Sequence, residues 1–178
     1  LSKIGLGEIF VFLNFGPLLF TGIYYIQSGG LISTEAIIVG SIVGLMTTGI
    51  LYINQFPDTD ADKSKGRFHL VARLGKKRAA QIYKYIISTS YVIIIVGIVT
   101  FTIPPTTIIA LITIPKFRIA NTILQKEYEK IMELIPAMGN TVMGTIQSGI
   151  LLLVGYLIWY FLSIYFPGVT TILPENIS

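Results

Sequence analysis

The sequence predicts an all-α fold, a polytopic bundle of transmembrane helices, and three observations predict it. Hydrophobic residues make up 53% of the 178, charged residues only 12%, and mean hydropathy is +0.75; a soluble domain carries about twice that charged fraction. The apolar residues are gathered into long blocks, and a run of about 18 or more with almost no charge is what crosses a bilayer. The basic residues, finally, cluster on one side of the membrane that those blocks define. In hydrocarbon a spanning segment must satisfy its own backbone hydrogen bonds, so the blocks are helices despite their many β-branched residues.

Five spans follow in order. The first runs from about Gly5 to Gln27 and the second from about Ile32 to Asn54, after which residues 55–78 form a polar loop. The third covers about Ala79 to Ile103 and stops at Pro104-Pro105; the fourth covers about Thr106 to Leu124. A charged stretch, Gln125 to Glu133, leads to the fifth, about Met138 to Phe166. Residues 1–178 are expected to form a single membrane domain. No cysteine is present, so disulfides are excluded. The first block is too long for a signal-peptide core, and no small-residue cleavage site follows it. The chain opens on Leu1 instead of Met, so an N-terminal portion is expected upstream.

Five spans alternate in direction, which puts the residues before the first span, the 55–78 loop and the 125–137 stretch on one side. All 13 Lys and Arg fall on or near it: Lys3, Lys63, Lys65, Arg67, Arg73, Lys76, Lys77, Arg78, Lys84, Lys116, Arg118, Lys126 and Lys130. Cytoplasmic loops carry the excess of Lys and Arg, so this side is expected to be cytoplasmic and the C-terminal tail outside. The partition also accounts for the net charge of +4 and the pI near 9.3 without a nucleic-acid partner. Lys116 and Arg118 are expected to snorkel to that interface. Gly40 and Gly44 have the GxxxG spacing that lets helices approach closely, with Gly49 beyond them. Tyr156, Trp159, Tyr160, Tyr165 and Phe166 read as an interfacial aromatic belt.

The chemistry lies in Asn54-Gln-Phe-Pro-Asp58-Thr-Asp60-Ala-Asp62-Lys-Ser-Lys-Gly66-Arg67 and the segment up to Arg78. Three carboxylates within five residues stand at a membrane boundary, where they need cations or water. Asn54, Asp58 and Asp62 are spaced i, i+4, i+8, one stripe of oxygen ligands on a continuous helix. Asp60 falls about 200° from Asp58, on the other side. Pro57 interrupts this, since proline kinks a helix or begins a new one. An all-oxygen stripe suits Mg²⁺, which shares its shell with substrate phosphates and waters, and Lys63, Lys65, Arg67 and Arg73 supply cations for the same phosphates.

Other readings weigh less. A calcium loop starting at Asp58 would need Gly where Lys63 stands and Glu where His69 stands. His69 is the only histidine and there is no cysteine, so zinc is not expected. A solvated loop that only enforces topology remains open on spacing alone. So does a non-enzymatic cation-binding or transport protein, although that class buries its carboxylates at mid-bilayer on broken helices.

Asn54-x-x-x-Asp58-x-x-x-Asp62, followed by Gly66-Arg67-x-x-Leu70-x-x-Arg73-Leu74-Gly75, resembles the second Asp-rich motif of the UbiA superfamily of intramembrane prenyltransferases. It is most similar to the branch that prenylates 1,4-dihydroxy-2-naphthoate in menaquinone synthesis. Gly7-Glu8-Ile-Phe-Val-Phe-Leu13, Phe15-Gly16-Pro17 and Tyr24-Tyr25 also resemble that branch's fifth helix. The resemblance runs from about Gly5 to the end and makes this the C-terminal half, with about five of the family's roughly nine spans. Two departures stand out. Many relatives have Lys-Arg-Thr after the glycine where this chain has Arg67, Phe68 and His69. The family's first Asp-rich motif is also absent from it.

The resemblance implies a prenyltransferase that moves a polyprenyl group from an isoprenyl diphosphate to a lipophilic aromatic acceptor within the membrane; ether-lipid and tetrapyrrole branches are the alternatives. Asp58 and Asp62 are the expected catalytic residues, Asn54, Asp58 and Asp62 the Mg²⁺ ligands, and Lys63, Lys65, Arg67 and Arg73 the diphosphate ligands. Phe12, Phe15, Tyr24, Tyr25 and Tyr52 are weaker candidates to face a developing carbocation. Membrane lipid and the N-terminal half of the same protein are the expected partners, and the plasma membrane of a prokaryote the expected location.

Overall fold

What breaks, lengthens or ends each span is written in the local sequence, as the computed structural model shows; it describes residues 6–170, with side chains through residue 168. Lys3, Gly5 and the C-terminal tail, on which parts of the topology and span expectations rest, lie outside the described residues. The first span is two helices, α1 (Gly7–Phe15) and α2 (Pro17–Gln27), parted at Gly16-Pro17, where Pro17 offers no N–H to continue the ladder. Ser33 caps α3 (Thr34–Ser64), its hydroxyl accepting from the Ala36 N–H at 3.3 Å. A short α4 (Leu70–Leu74) precedes α5 (Lys76–Val99). The fourth span begins as a 3₁₀ helix, Pro105–Thr113, and continues as α6 (Ile114–Glu127). The last is α7 (Ile131–Tyr165), followed by the single turn α8 (Pro167–Thr170). Five of these stretches are long and apolar enough to cross a membrane: Gly7–Gln27, Thr34–Ser64, Lys76–Val99, Pro105–Glu127 and Ile131–Tyr165.

Two sequence expectations shift. The second span does not yield to a loop at Asn54, because α3 runs through Pro57 to Ser64; of residues 55–78 only 65–69 and Gly75 lie outside helices. The last span starts at Ile131, earlier than Met138, with Pro136 inside it. Proline's missing bond is tolerated in both helices because neighbouring helices pack around them.

α3 is the central helix. Half of its best spanning window is buried within the chain, against 6% for Gly7–Gln27. Ile42, Met46, Tyr52, Ile53 and Phe56 are essentially inaccessible. The GxxxG pair receives the break between α1 and α2: a Cβ added at Gly44 would lie 2.8 Å from the Gly16 Cα, and one at Gly40 2.8 Å from the Gly16 carbonyl oxygen. Only glycines permit that approach. Buried hydroxyls join the helices further on. Tyr83 meets Thr141 at 2.6 Å, Tyr91 meets Thr113 at 2.7 Å, and Thr113 meets Ser148 at 2.7 Å.

Contacts sort the two ends of the bundle. At one end Gln55 reaches Glu8, the Tyr52 hydroxyl donates to the Ala79 carbonyl, Gln125 donates to the Ala80 carbonyl, and Lys76 pairs with Asp60 and Glu129. At the other end Thr106 donates to the Gly155 carbonyl and Ile103 packs against Gly97. Successive spans therefore run in opposite directions, and the acidic segment shares its end with the basic residues around 76–84 and 126–130.

Candidate active site

The site is built where α3 projects past its apolar part. Because α3 stays helical to Ser64, Asn54, Asp58 and Asp62 do form one stripe, and all three line a single cleft of about 430 Å³ with Gly7, Val11, Leu51, Gln55, Arg67 and His69. Asp60 lies outside it, its side chain 80% exposed and paired with Lys76 at 3.2 Å.

Gly66 turns the chain back on the stripe. At φ 71° it occupies the left-handed region that glycine adopts freely. Its N–H donates to the Lys63 carbonyl at 3.0 Å and the Arg67 N–H to the Asp62 carbonyl at 2.8 Å, the paired bonds of a Schellman helix end. Arg67 is thereby folded over α3, with its Nη1 3.6 Å from the Asp62 carboxylate.

His69 then caps α4, with the Ala72 N–H donating to its Nδ1 at 3.3 Å. Nδ1 is thus an acceptor, so the neutral ring carries its proton on Nε2, 3.6 Å from Asp62 Oδ2. Burial holds the imidazole pKa below its ordinary value, against the opposing pull of Asp62, Glu8 and Asp58. Asp62 therefore lies between the Arg67 guanidinium and the Nε2 edge of His69, each 3.6 Å away.

The remaining expected phosphate ligands are placed differently. Lys63 and Lys65 are exposed and do not line the cleft. Arg73 does not line the cleft either; its Nε donates to the Phe68 carbonyl at 3.1 Å. The aromatic candidates also disperse. Tyr52 is buried in packing against Phe56 and bonded to Ala79. Tyr24 lines a separate, mainly apolar cavity of about 520 Å³ with Glu35 and Tyr156.

Two polar residues at this site were given no role there from the sequence. Glu8, only 6% exposed, accepts on Oε1 from Gln55 Nε2 at 2.7 Å and from the Leu70 N–H at 3.0 Å. A carboxylate in the first turn of an apolar span was the available signal, since ionisable groups there are retained for function. Gln55 had none, being next to Asn54 but off its stripe.

Among the described residues no three His, Cys, Asp or Glu side chains converge into a closed metal cage. What opens onto the cleft is two carboxylates and an amide, oxygen donors of the type that hard cations take.

Fold and site together define a polytopic helical membrane protein with an all-oxygen acidic stripe and an arginine facing it at one end of the bundle. The UbiA prenyltransferase family model matches residues 1–135, and the chain belongs to that family. Among its relatives, 2-carboxy-1,4-naphthoquinone phytyltransferase of Synechocystis is 29% identical over 115 residues, covering 65% of this chain and 37% of that protein. The 1,4-dihydroxy-2-naphthoate octaprenyltransferase of Escherichia coli is 36% identical over 89 residues, 50% of this chain and 29% of that protein. Its counterpart in Bacillus subtilis is 26% identical over 161 residues, 90% of this chain and 48% of that protein. The chain thus spans half or less of the length of these relatives. No solved structure shows a significant match.

Proposed function

We propose that this chain carries one flank of the active site of a Mg²⁺-dependent prenyltransferase, which moves an isoprenyl group from its diphosphate to a naphthoate-type quinone precursor. The observation that carries this reading is the convergence of Asn54, Asp58, Asp62 and Arg67 on one cleft. Asp58 and Asp62, with Asn54, would hold Mg²⁺, which when bound neutralises the diphosphate as the prenyl C–O bond breaks. Arg67 adds a fixed cation on the loop side of the same group, where negative charge grows during departure. Gly7, Val11 and Leu51 give the cleft an apolar wall along which a prenyl chain extends toward lipid. The relatives' named substrates, a naphthoate and a naphthoquinone, support a bicyclic aromatic acceptor. The basic end of the bundle supports a site on the cytoplasmic face of the membrane.

Prenylated product formed by the full-length protein tests this. Asp58→Ala and Asp62→Ala are expected to lose about 10²-fold or more, the scale of removing a main electrostatic stabiliser. Asp60→Ala should stay within a few-fold, its exposed ion pair being of small consequence. Equal loss at all three positions, or transfer indifferent to divalent cations, refutes the reading.

A further inference from the structure

We propose that Glu8 is a positioning residue, a buried clamp that holds the acid-bearing end of α3 and the 65–69 loop in the register that aims Asp62 into the cleft. The inference rests on the reading above and extends it to a residue on a different span. Three observations carry it. Glu8 Oε1 is the meeting point of donors from two elements, Gln55 Nε2 from α3 and the Leu70 N–H that opens α4. These bonds bridge 47 and 62 residues of chain, so they fix tertiary placement instead of local helix geometry. They also flank the functional groups: Gln55 lies between Asn54 and the turn bearing Asp58, and Leu70 adjoins His69, whose Nε2 faces Asp62.

A buried carboxylate in a span is costly unless hydrogen-bonded. Glu8 Oε2, Gln55 Oε1 and His69 Nε2 are all buried without a hydrogen-bond partner among the described residues. A cluster selected for stability alone would be cheaper as packed apolar side chains. In the loop itself Phe68 is 43% exposed and Lys65 and Arg67 are exposed, while His69 is buried. A charged acceptor shared by both elements ties the loop to the stripe strongly enough to keep Asp62, His69 and Arg67 in fixed relation.

The test uses the full-length protein in nanodiscs and the variants Glu8→Ala, Glu8→Gln and Gln55→Met. Backbone hydrogen exchange over residues 66–74 is read without metal or substrate, and the half-saturating Mg²⁺ concentration is read with substrate. Glu8→Ala is expected to speed exchange at Leu70 and raise the Mg²⁺ requirement about tenfold, the usual reach of a group that orients a ligand. Glu8→Gln, which keeps the acceptor oxygen on which both donors converge, should restore most of each. Gln55→Met, close in volume, should move both readouts in the same direction by a smaller factor, and it covers the case in which Glu8→Ala does not fold. Unchanged exchange in Glu8→Ala and Gln55→Met, or faster exchange with an unchanged Mg²⁺ requirement, overturns the proposal, as does Glu8→Gln behaving like Glu8→Ala. A wild-type protein that needs no divalent cation would bring down the parent reading instead; the exchange result still decides the clamp.

Discussion

At position 69 one imidazole performs two tasks with two nitrogens. Nδ1 accepts the Ala72 N–H and so starts α4; Nε2 faces Asp62. A threonine here would cap the helix but not reach the carboxylate. His69→Ala is therefore expected to destabilise the protein by about 1 kcal/mol through the lost cap, a fall in Tm of about 2–4 °C for a chain of this size. His69→Thr should recover most of that loss, as measured by thermal unfolding in detergent; no recovery would show that the cap is unimportant. The stripe was readable because spacing at i, i+4, i+8 is a property of any helix. The sorting of cations was not. Arg67 and Arg73 are equally basic in sequence, yet the turn at Gly66 folds one onto Asp62 while α4 directs the other to the Phe68 carbonyl.

Among the elements, α3 departs furthest from expectation. A polar run following a proline reads as a loop, because in water it would be one. Here the run stays helical while Thr59 donates its hydroxyl to the Gln55 carbonyl at 2.7 Å, Phe56 and Thr59 are buried, and a Schellman end closes the helix. Tertiary packing outweighs local propensity. The small-residue spacing at Gly40 and Gly44 was readable and does what such spacing does. Gly44→Val would place methyl groups where the Phe12 carbonyl oxygen already lies 2.7 Å from a Cβ. The expected result is a loss of about 1–3 kcal/mol from overpacking, seen as a lower Tm and less protein in the membrane. Gly139→Val, with open space around the added Cβ, is the control that should leave both unchanged within error.

Over the whole molecule, the span count and the segregation of charge were legible because the bilayer imposes both. Cysteines introduced at Ser64 and Gln27, at opposite ends of the bundle, should label from opposite faces of sealed vesicles, with Ser64 reacting from the cytoplasmic face; labelling from the same face would break the five-span topology. Glu8 stood out only as a carboxylate in the first turn of a span; its two bonds arise when α1, α3 and α4 meet. The order in which the ribosome delivers those pieces has its own consequence. Glu8, Gln55 and Leu70 all belong to the part synthesised before α5, so the clamp's three members exist while α6 and α7 are still unmade. At about 5–20 residues per second, the carboxylates have seconds in which to find their register before α6 and α7 are complete. Arrested nascent chains ending shortly after α5 should already show slow exchange at Leu70. Fast exchange there until α7 is added would mean that the site is set late, by the closing helices.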